Sequence, residues 1–105
     1  MPHPFAHYLD FANHHADATP ADIEKLCNDV VGYGFHAAFV NACYISFVRR
    51  GLAKLKKESV RVGTVISFPL GQDTIAAKVA AVNEAVQLGA DELDVVPNIG
   101  TFLSG

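Results

Sequence analysis

The sequence predicts an α/β fold made of parallel β-α units, and three observations lead there. Short apolar runs alternate with longer segments whose apolar residues recur at helical spacing. Capping residues open those longer segments and glycines close them. Each strand–helix unit takes roughly 25–30 residues, the length a right-handed βαβ crossover needs.

The first strand is expected around Tyr8-Leu9-Asp10, an extended segment ahead of the first helix. That helix opens at Thr19-Pro20-Ala21-Asp22, where the threonine caps, proline suits the first helical position and Asp22 completes a capping box. Ile23, Leu26, Cys27, Val30 and Val31 form its apolar face, and Gly32 and Gly34 stop it. Ala37-Ala38-Phe39-Val40-Asn41 is too short for a helix and reads as the second strand. In the second helix Tyr44, Val48, Leu52 and Leu55 share one face. Arg49, Arg50, Lys54, Lys56 and Lys57 cover the other side and gather toward its C-terminal end, where cations suit the helix dipole. The acidic total charge favours a solvated helix face over a phosphate or nucleic-acid site there.

Val60-Arg61-Val62-Gly63-Thr64-Val65-Ile66 is rich in β-branched residues and forms the third strand, broken by Phe68-Pro69-Leu70-Gly71. A third helix starts at Asp73 or Thr74, with Ala77, Ala81, Val82, Ala85 and Val86 as a narrow apolar face, and ends at Gly89. Leu93-Asp94-Val95-Val96 is the fourth strand, closed by Pro97. Strands joined by helical crossovers lie parallel. An open doubly wound sheet and one half of a closed eight-stranded barrel of about 250 residues both fit this order. Periodicity does not separate them.

Composition narrows the function classes. The 105 residues make one domain at most, half of them are apolar, and only 18% are charged. That excludes a disordered tail or a low-complexity linker, because the apolar area offsets ordering entropy. A net charge of −3 argues against non-specific binding to nucleic acid or an anionic membrane. Two cysteines without tight spacing make neither a disulfide framework nor a four-ligand zinc site. Apolar runs fall far short of the ~18–20 residues that cross a bilayer. Met1-Pro2-His3-Pro4 lacks the basic-then-apolar order of a secretory signal, so a cytoplasmic location is expected.

Asp94 is the residue most out of place. It interrupts an apolar strand near the C-terminal end, where parallel α/β folds keep their active sites. Alternation puts it on the face opposite Leu93 and Val95. It is either a general acid/base, or the orienter of one, or half of a structural salt bridge. Asp10 is expected at the end of the first strand, where aspartate also starts turns. Asn41 ends the second strand, where its amide binds a substrate hydroxyl or, more readily, caps the next helix.

Asn13-His14-His15-Ala16-Asp17 suggests a metal, but adjacent histidines on an extended segment diverge, and no metal site is expected. Cys27 belongs to a helix core, and Cys43, ahead of the second helix, has no histidine placed to activate it. There is no P-loop and no G-x-G-x-x-G. Lys25, Lys54, Lys56, Lys57 and Lys78 all fall on helices or helix ends, and none on a strand where a desolvated amine becomes a nucleophile.

Several stretches together resemble one family. Val65-Ile66-Ser67-Phe68-Pro69-Leu70-Gly71, then Thr74 and Lys78, then Gly89-Ala90-Asp91-Glu92-Leu93-Asp94-Val95-Val96 with Asn98-Ile99-Gly100 and Ser104-Gly105, are similar to the deoxyribose-phosphate aldolases. Tyr8-Leu9-Asp10, Asp17-Ala18-Thr19 through Leu26-Cys27, Tyr33-Gly34-Phe35 and Val40-Asn41 agree, so the resemblance covers nearly the whole chain.

The resemblance implies a class I aldolase on an eight-stranded barrel. Such an enzyme joins acetaldehyde to glyceraldehyde 3-phosphate reversibly, through a lysine Schiff base and without metal or cofactor. Asp94 then matches the strand-four aspartate of the proton relay, and Asp10 the strand-one aspartate of the surrounding hydrogen-bond network. A homodimer acting on small phosphosugar and aldehyde substrates is implied. The sequence departs from the family at Phe11-Ala12, where His-Thr is common, at Phe39 for a cysteine, at Ala42 for a proline and at Ala81 for a glutamate. The family's Schiff-base lysine, its second lysine and its phosphate loops belong to later strands. On this reading residues 1–105 are the N-terminal half of the barrel domain, stopping in the loop after strand four, and this stretch alone is expected to be inactive. The alternative is a non-catalytic half-barrel that dimerises as a binding or assembly module through its exposed strand edges. An open-sheet binder of a small ligand is the third reading.

Overall fold

The computed structural model describes residues 4–105, and the N-terminal Met1-Pro2-His3 lie outside the described residues. Its regular elements are β1 (Asp10–Asn13), α1 (Pro20–Tyr33), β2 (Ala37–Val40), α2 (Ile45–Lys54), β3 (Arg61–Ile66), α3 (Ile75–Leu88), β4 (Glu92–Val95) and α4 (Ile99–Leu103). Two 3-10 turns, Ala6–Tyr8 and Ala42–Tyr44, precede β1 and α2. All strand pairs are parallel, and the sheet runs β1-β2-β3-β4 in sequence order. A doubly wound sheet reverses direction at a switch point. This one does not, so the fold is a partial (β/α) barrel.

Helix α1 forms as its start signals dictate. Thr19 accepts from the Asp22 backbone N–H at 3.3 Å, while the Asp22 carboxylate accepts from the Thr19 N–H at 2.8 Å. The Thr19 backbone N–H and the Thr19 hydroxyl, which donates to the same carboxylate at 3.0 Å, hold the Asp22 carboxyl below the usual carboxylate range, the backbone donor most of all. The helix runs through Gly32 and ends at Gly34, whose φ of +75° is the left-handed cap that glycine adopts at least cost. Thr74 caps α3 in the same manner, accepting from Ala77 N–H at 3.1 Å.

The helices cover one face of the sheet. Ala38 and Val40 of β2 and Val62 and Ile66 of β3 meet Ile23, Leu26, Cys27 and Val30 of α1 and Ile45, Val48 and Leu52 of α2 in one core. Thr64 is the buried polar residue in this layer, and its hydroxyl donates to the Val40 carbonyl at 2.7 Å. Burial pushes the Cys27 thiol up, as an inert core residue requires. Arg49 of α2 reaches across to donate to the Gly89 carbonyl at 3.0 and 2.8 Å and to Asp91, which also accepts from Val62 N–H. This clamp ties α2 to the turn between α3 and β4.

Three sequence expectations are corrected. Strand β1 starts at Asp10 instead of ending there, because Tyr8 lies in a 3-10 turn and Phe11-Ala12-Asn13 pair with Ala38, Phe39 and Val40. Alanine and asparagine are weak strand formers, and pairing with the buried β2 overrides that preference. On α3 the inward column is Lys78, Val82, Ala85 and Leu88, while Ala77, Ala81 and Val86 are exposed. Beyond Pro97 the chain does not remain a loop but turns into the short helix α4, capped by Asn98 accepting from Thr101 N–H.

Candidate active site

The face away from the helices carries the polar side chains. Alternation along the ladder puts Asp10 and Ala12 of β1, Ala37 and Phe39 of β2, Gly63 and Val65 of β3, and Glu92 and Asp94 of β4 on this open face. Phe39 pairs with Gly63, and its ring lies where a Cβ on residue 63 would stand, at 2.2 Å from Cζ. The phenyl group therefore fills the middle of the open face, and only glycine beneath it leaves room. Above that row, toward the C-terminal strand ends, Asp94 pairs with Val65 and stands exposed.

Asn41 leaves β2 at the same end. It does not cap a helix: it flanks the 3-10 turn Ala42–Tyr44 without a side-chain capping bond. Its amide instead grips the segment after β1, with Oδ1 3.2 Å from His14 Nδ1 and Nδ2 donating to the His14 carbonyl at 3.4 Å. The His14 ring lies 5.6 Å from Phe68 between centroids, so the loops after β1, β2 and β3 converge there. His15 takes no part; its backbone N–H donates to the Asn13 side chain.

Lys78 completes the rim. Its ammonium donates to the Gly71 carbonyl at 2.8 Å and the Val96 carbonyl at 2.9 Å, stapling the loop after β3 to the end of β4. Gly71 is held against the same strand end: a Cβ there would lie 2.1 Å from the Pro97 carbonyl oxygen. The other lysines lie on α1, at the end of α2 or in the turn beyond it, and none is on a strand.

Asp10 stands at the other end of the open face. It pairs with Ala37, one alternate row below Phe39, whereas Asp94 is one row above the Glu92 that shares Phe39's row through Gly63. Desolvation raises the Asp10 carboxyl above its ordinary value, Glu92 and Asp94 raise it further, and His36 opposes them. The sequence-predicted trio is thus split, with Asp94 and Asn41 at the C-terminal rim and Asp10 at the N-terminal edge. From sequence, His14 is weighed only as a metal ligand and Lys78 only as a helix lysine and motif residue, and neither His36 nor Glu92 is singled out. Glu92 was legible, since it lies two residues before Asp94 and shares its face. The others depend on which loops meet.

Among the described residues no helix is long and apolar enough to cross a membrane.

Residues 4–102 match the family described as DeoC/LacD family aldolase. The chain is 42% identical over 93 residues to the deoxyribose-phosphate aldolase of Finegoldia magna, an alignment covering 89% of this chain and 42% of that protein. It is also 42% identical over 100 residues to the enzyme of the same name from Thermococcus gammatolerans, covering 95% and 44%. A crystal structure of a putative deoxyribose-phosphate aldolase from Coccidioides immitis superposes with a TM-score of 0.86 at 32% identity, over 95% of this chain and 38% of that one. The tetrameric deoxyribose phosphate aldolase of Aeropyrum pernix gives 0.83 at 31% identity, over 92% and 40%. The chain thus spans less than half the length of these relatives. With a family match along nearly its whole length and the partial barrel to go with it, the chain belongs to the DeoC/LacD family of aldolases.

Proposed function

We propose that this chain supplies the first four strands of a deoxyribose-phosphate aldolase barrel, with Asp94 as the proton-relay carboxylate of a Schiff-base reaction. The reaction is the reversible cleavage of 2-deoxy-D-ribose 5-phosphate into glyceraldehyde 3-phosphate and acetaldehyde. The observation that carries this reading is the position of Asp94: an exposed carboxylate on the open face, one residue from the C-terminal end of β4, in a family member. In that position the carboxylate takes and returns the protons that imine formation and aldol cleavage move. Asn41 holds His14 at the same C-terminal rim, and Asp10 lies lower on the same face. The amine nucleophile comes from strands that complete the barrel, because every lysine here is on a helix or in a turn and Lys78 is bound to two carbonyls. The enzyme works in the cytoplasm as a homodimer.

The test is imine trapping on the gene's full product. Borohydride reduction with acetaldehyde should add one N-ethyl group to a lysine outside residues 1–105. Asp94→Asn should slow the aldol reaction by about 10²-fold or more, the usual worth of a positioned acid/base. Absence of any trapped adduct would overturn the reading.

A second reading is favoured by exposed apolar residues, Ile75 at 82% on α3 and Phe102 at 78% on α4, together with the unpaired edge of β4. The 105-residue chain then pairs with another copy as a non-catalytic half-barrel. A monodisperse monomer in sedimentation excludes it.

A further inference from the structure

Asp10, His36 and Glu92 come from three distant places in the sequence and meet at the N-terminal edge of the open face. Asp10 opens β1, His36 immediately precedes β2, and Glu92 opens β4. One donor atom from each lies within 4.8 Å of the other two. His36 Nε2 and Glu92 Oε2 are already 2.6 Å apart. We propose that these three side chains form a binding site for a divalent transition-metal cation of the zinc type, separate from the aldolase rim.

Geometry comes first. Zinc binds imidazole nitrogen and carboxylate oxygen at about 2.0–2.2 Å, which sets such donors roughly 3–4 Å apart around one ion. A side-chain adjustment of about 1 Å brings this trio into that range. The strands themselves need not move, because the ladder bonds His36 N–H to Leu9 carbonyl (2.8 Å) and Arg61 N–H to His36 carbonyl (3.1 Å) fix the backbone on both sides of His36. Three protein donors leave a coordination position open to water. One imidazole with two carboxylates and no thiolate suits zinc, manganese or iron(II), and not copper(I).

Charge is the second argument. Two carboxylates face one imidazole, and Asp94 adds a third negative charge on the same face. No hydrogen bond to the Asp10 carboxylate occurs among the described residues, and the Glu92 carboxylate stands close by. Arg61 on neighbouring β3 does not supply the missing charge, since it turns to Asp91 at 3.9 Å. A divalent cation offsets the negative charge that these carboxylates gather among the described residues. On binding, the ion takes the place of the direct contact between His36 Nε2 and Glu92 Oε2. His36 and Glu92 are each more than a third exposed, so an ion has a route in.

The experiment is a calorimetric titration of the gene's full product, stripped with chelator, using zinc chloride alone. One ion per chain is expected, with His36→Ala and Glu92→Gln each weakening binding at least tenfold. His14→Ala and His15→Ala, which alter histidines outside the cluster, should leave it unchanged. Far-UV circular dichroism checks that each variant is folded. Cobalt(II) gives a second readout: a visible d–d spectrum without a thiolate charge-transfer band, lost in His36→Ala. Absence of stoichiometric binding overturns the proposal. So does binding that survives both cluster substitutions, or that His14→Ala or His15→Ala abolishes. None of these readouts uses aldolase turnover, so this result and the imine-trapping result can fail independently.

Discussion

Two strands of the sheet, β2 inside it and β4 at its edge, are built to different standards. Around β2 the chain is closed: all four strand residues are buried, and α1 and α2 press Ile23, Val30, Ile45, Val48 and Leu52 against Ala38 and Val40. Around β4 it is open, with Val95, Val79, Val86 and Ile75 exposed and only Ala85 of α3 fully buried. The sequences of the two regions are comparably apolar, so composition does not explain the contrast. Position does: β2 has a neighbour on each side and two helices above it, whereas β4 has one neighbour and the short α4. Apolar surface contributes to stability only when something covers it.

The sharpest way to break this comparison is to shave one residue from each region. Leu52→Ala should cost about 2–5 kcal/mol, the range for emptying a packed leucine site. Val79→Ala, on the uncovered flank, should stay within about 0.5 kcal/mol. Urea unfolding of both variants checks this, and equal losses would mean the flank is covered in solution. In a protein carrying a complete barrel, the same pair should show the Val79 cost rise.

A smaller effect probes the open face itself. Gly63→Ala forces a Cβ into the Phe39 ring and should destabilise by about 1–3 kcal/mol, as overpacking does. In a Phe39→Leu background the same change should cost less than half as much. A double-mutant cycle in urea measures the coupling, and additivity would show that the ring does not occupy that space.

The smallest effect is a pH dependence at the edge of that face. Folding raises the Asp10 carboxyl, so the folded state holds its proton more tightly than the unfolded chain does. Linkage then makes Asp10 a cost at neutral pH that vanishes as the solution is acidified below the ordinary aspartate value of about 4. Asp10→Asn, in metal-free buffer, should therefore raise the urea midpoint at pH 7 and leave it unchanged at pH 3. An equal gain at both values would assign the effect to packing.

What could be read from the amino acids follows the same division. Thr19-Pro20-Ala21-Asp22 and Thr74 announce their helices because caps are local, and Gly34 and Gly89 end them for the same reason. The face of Asp94 follows from alternation alone. The start of β1 did not follow, since Ala12 and Asn13 become strand only by pairing with β2. The inward column of α3 was displaced because alanines lie all round that helix, leaving no clear stripe to choose. Asn41 read as a cap because nothing near it in sequence says that His14, 27 residues away, will take its amide. Side chains that meet across loops leave no periodic trace, and His36 with Glu92 is the plainest case.

Sequence-order pairing also bears on how the chain is made. Each strand here hydrogen-bonds to the one synthesised just before it, so no strand waits for a distant partner. Contacts of that kind close short loops and favour rapid, stepwise folding. On the ribosome, where domains consolidate from the N-terminus, β1, β2 and β3 can dock in turn while the rest is still being translated. One exposed edge is then always the newest strand, and the other is β1. A pause in translation after β4 leaves its edge and the apolar side of α3 open to whichever nascent or neighbouring chain arrives first.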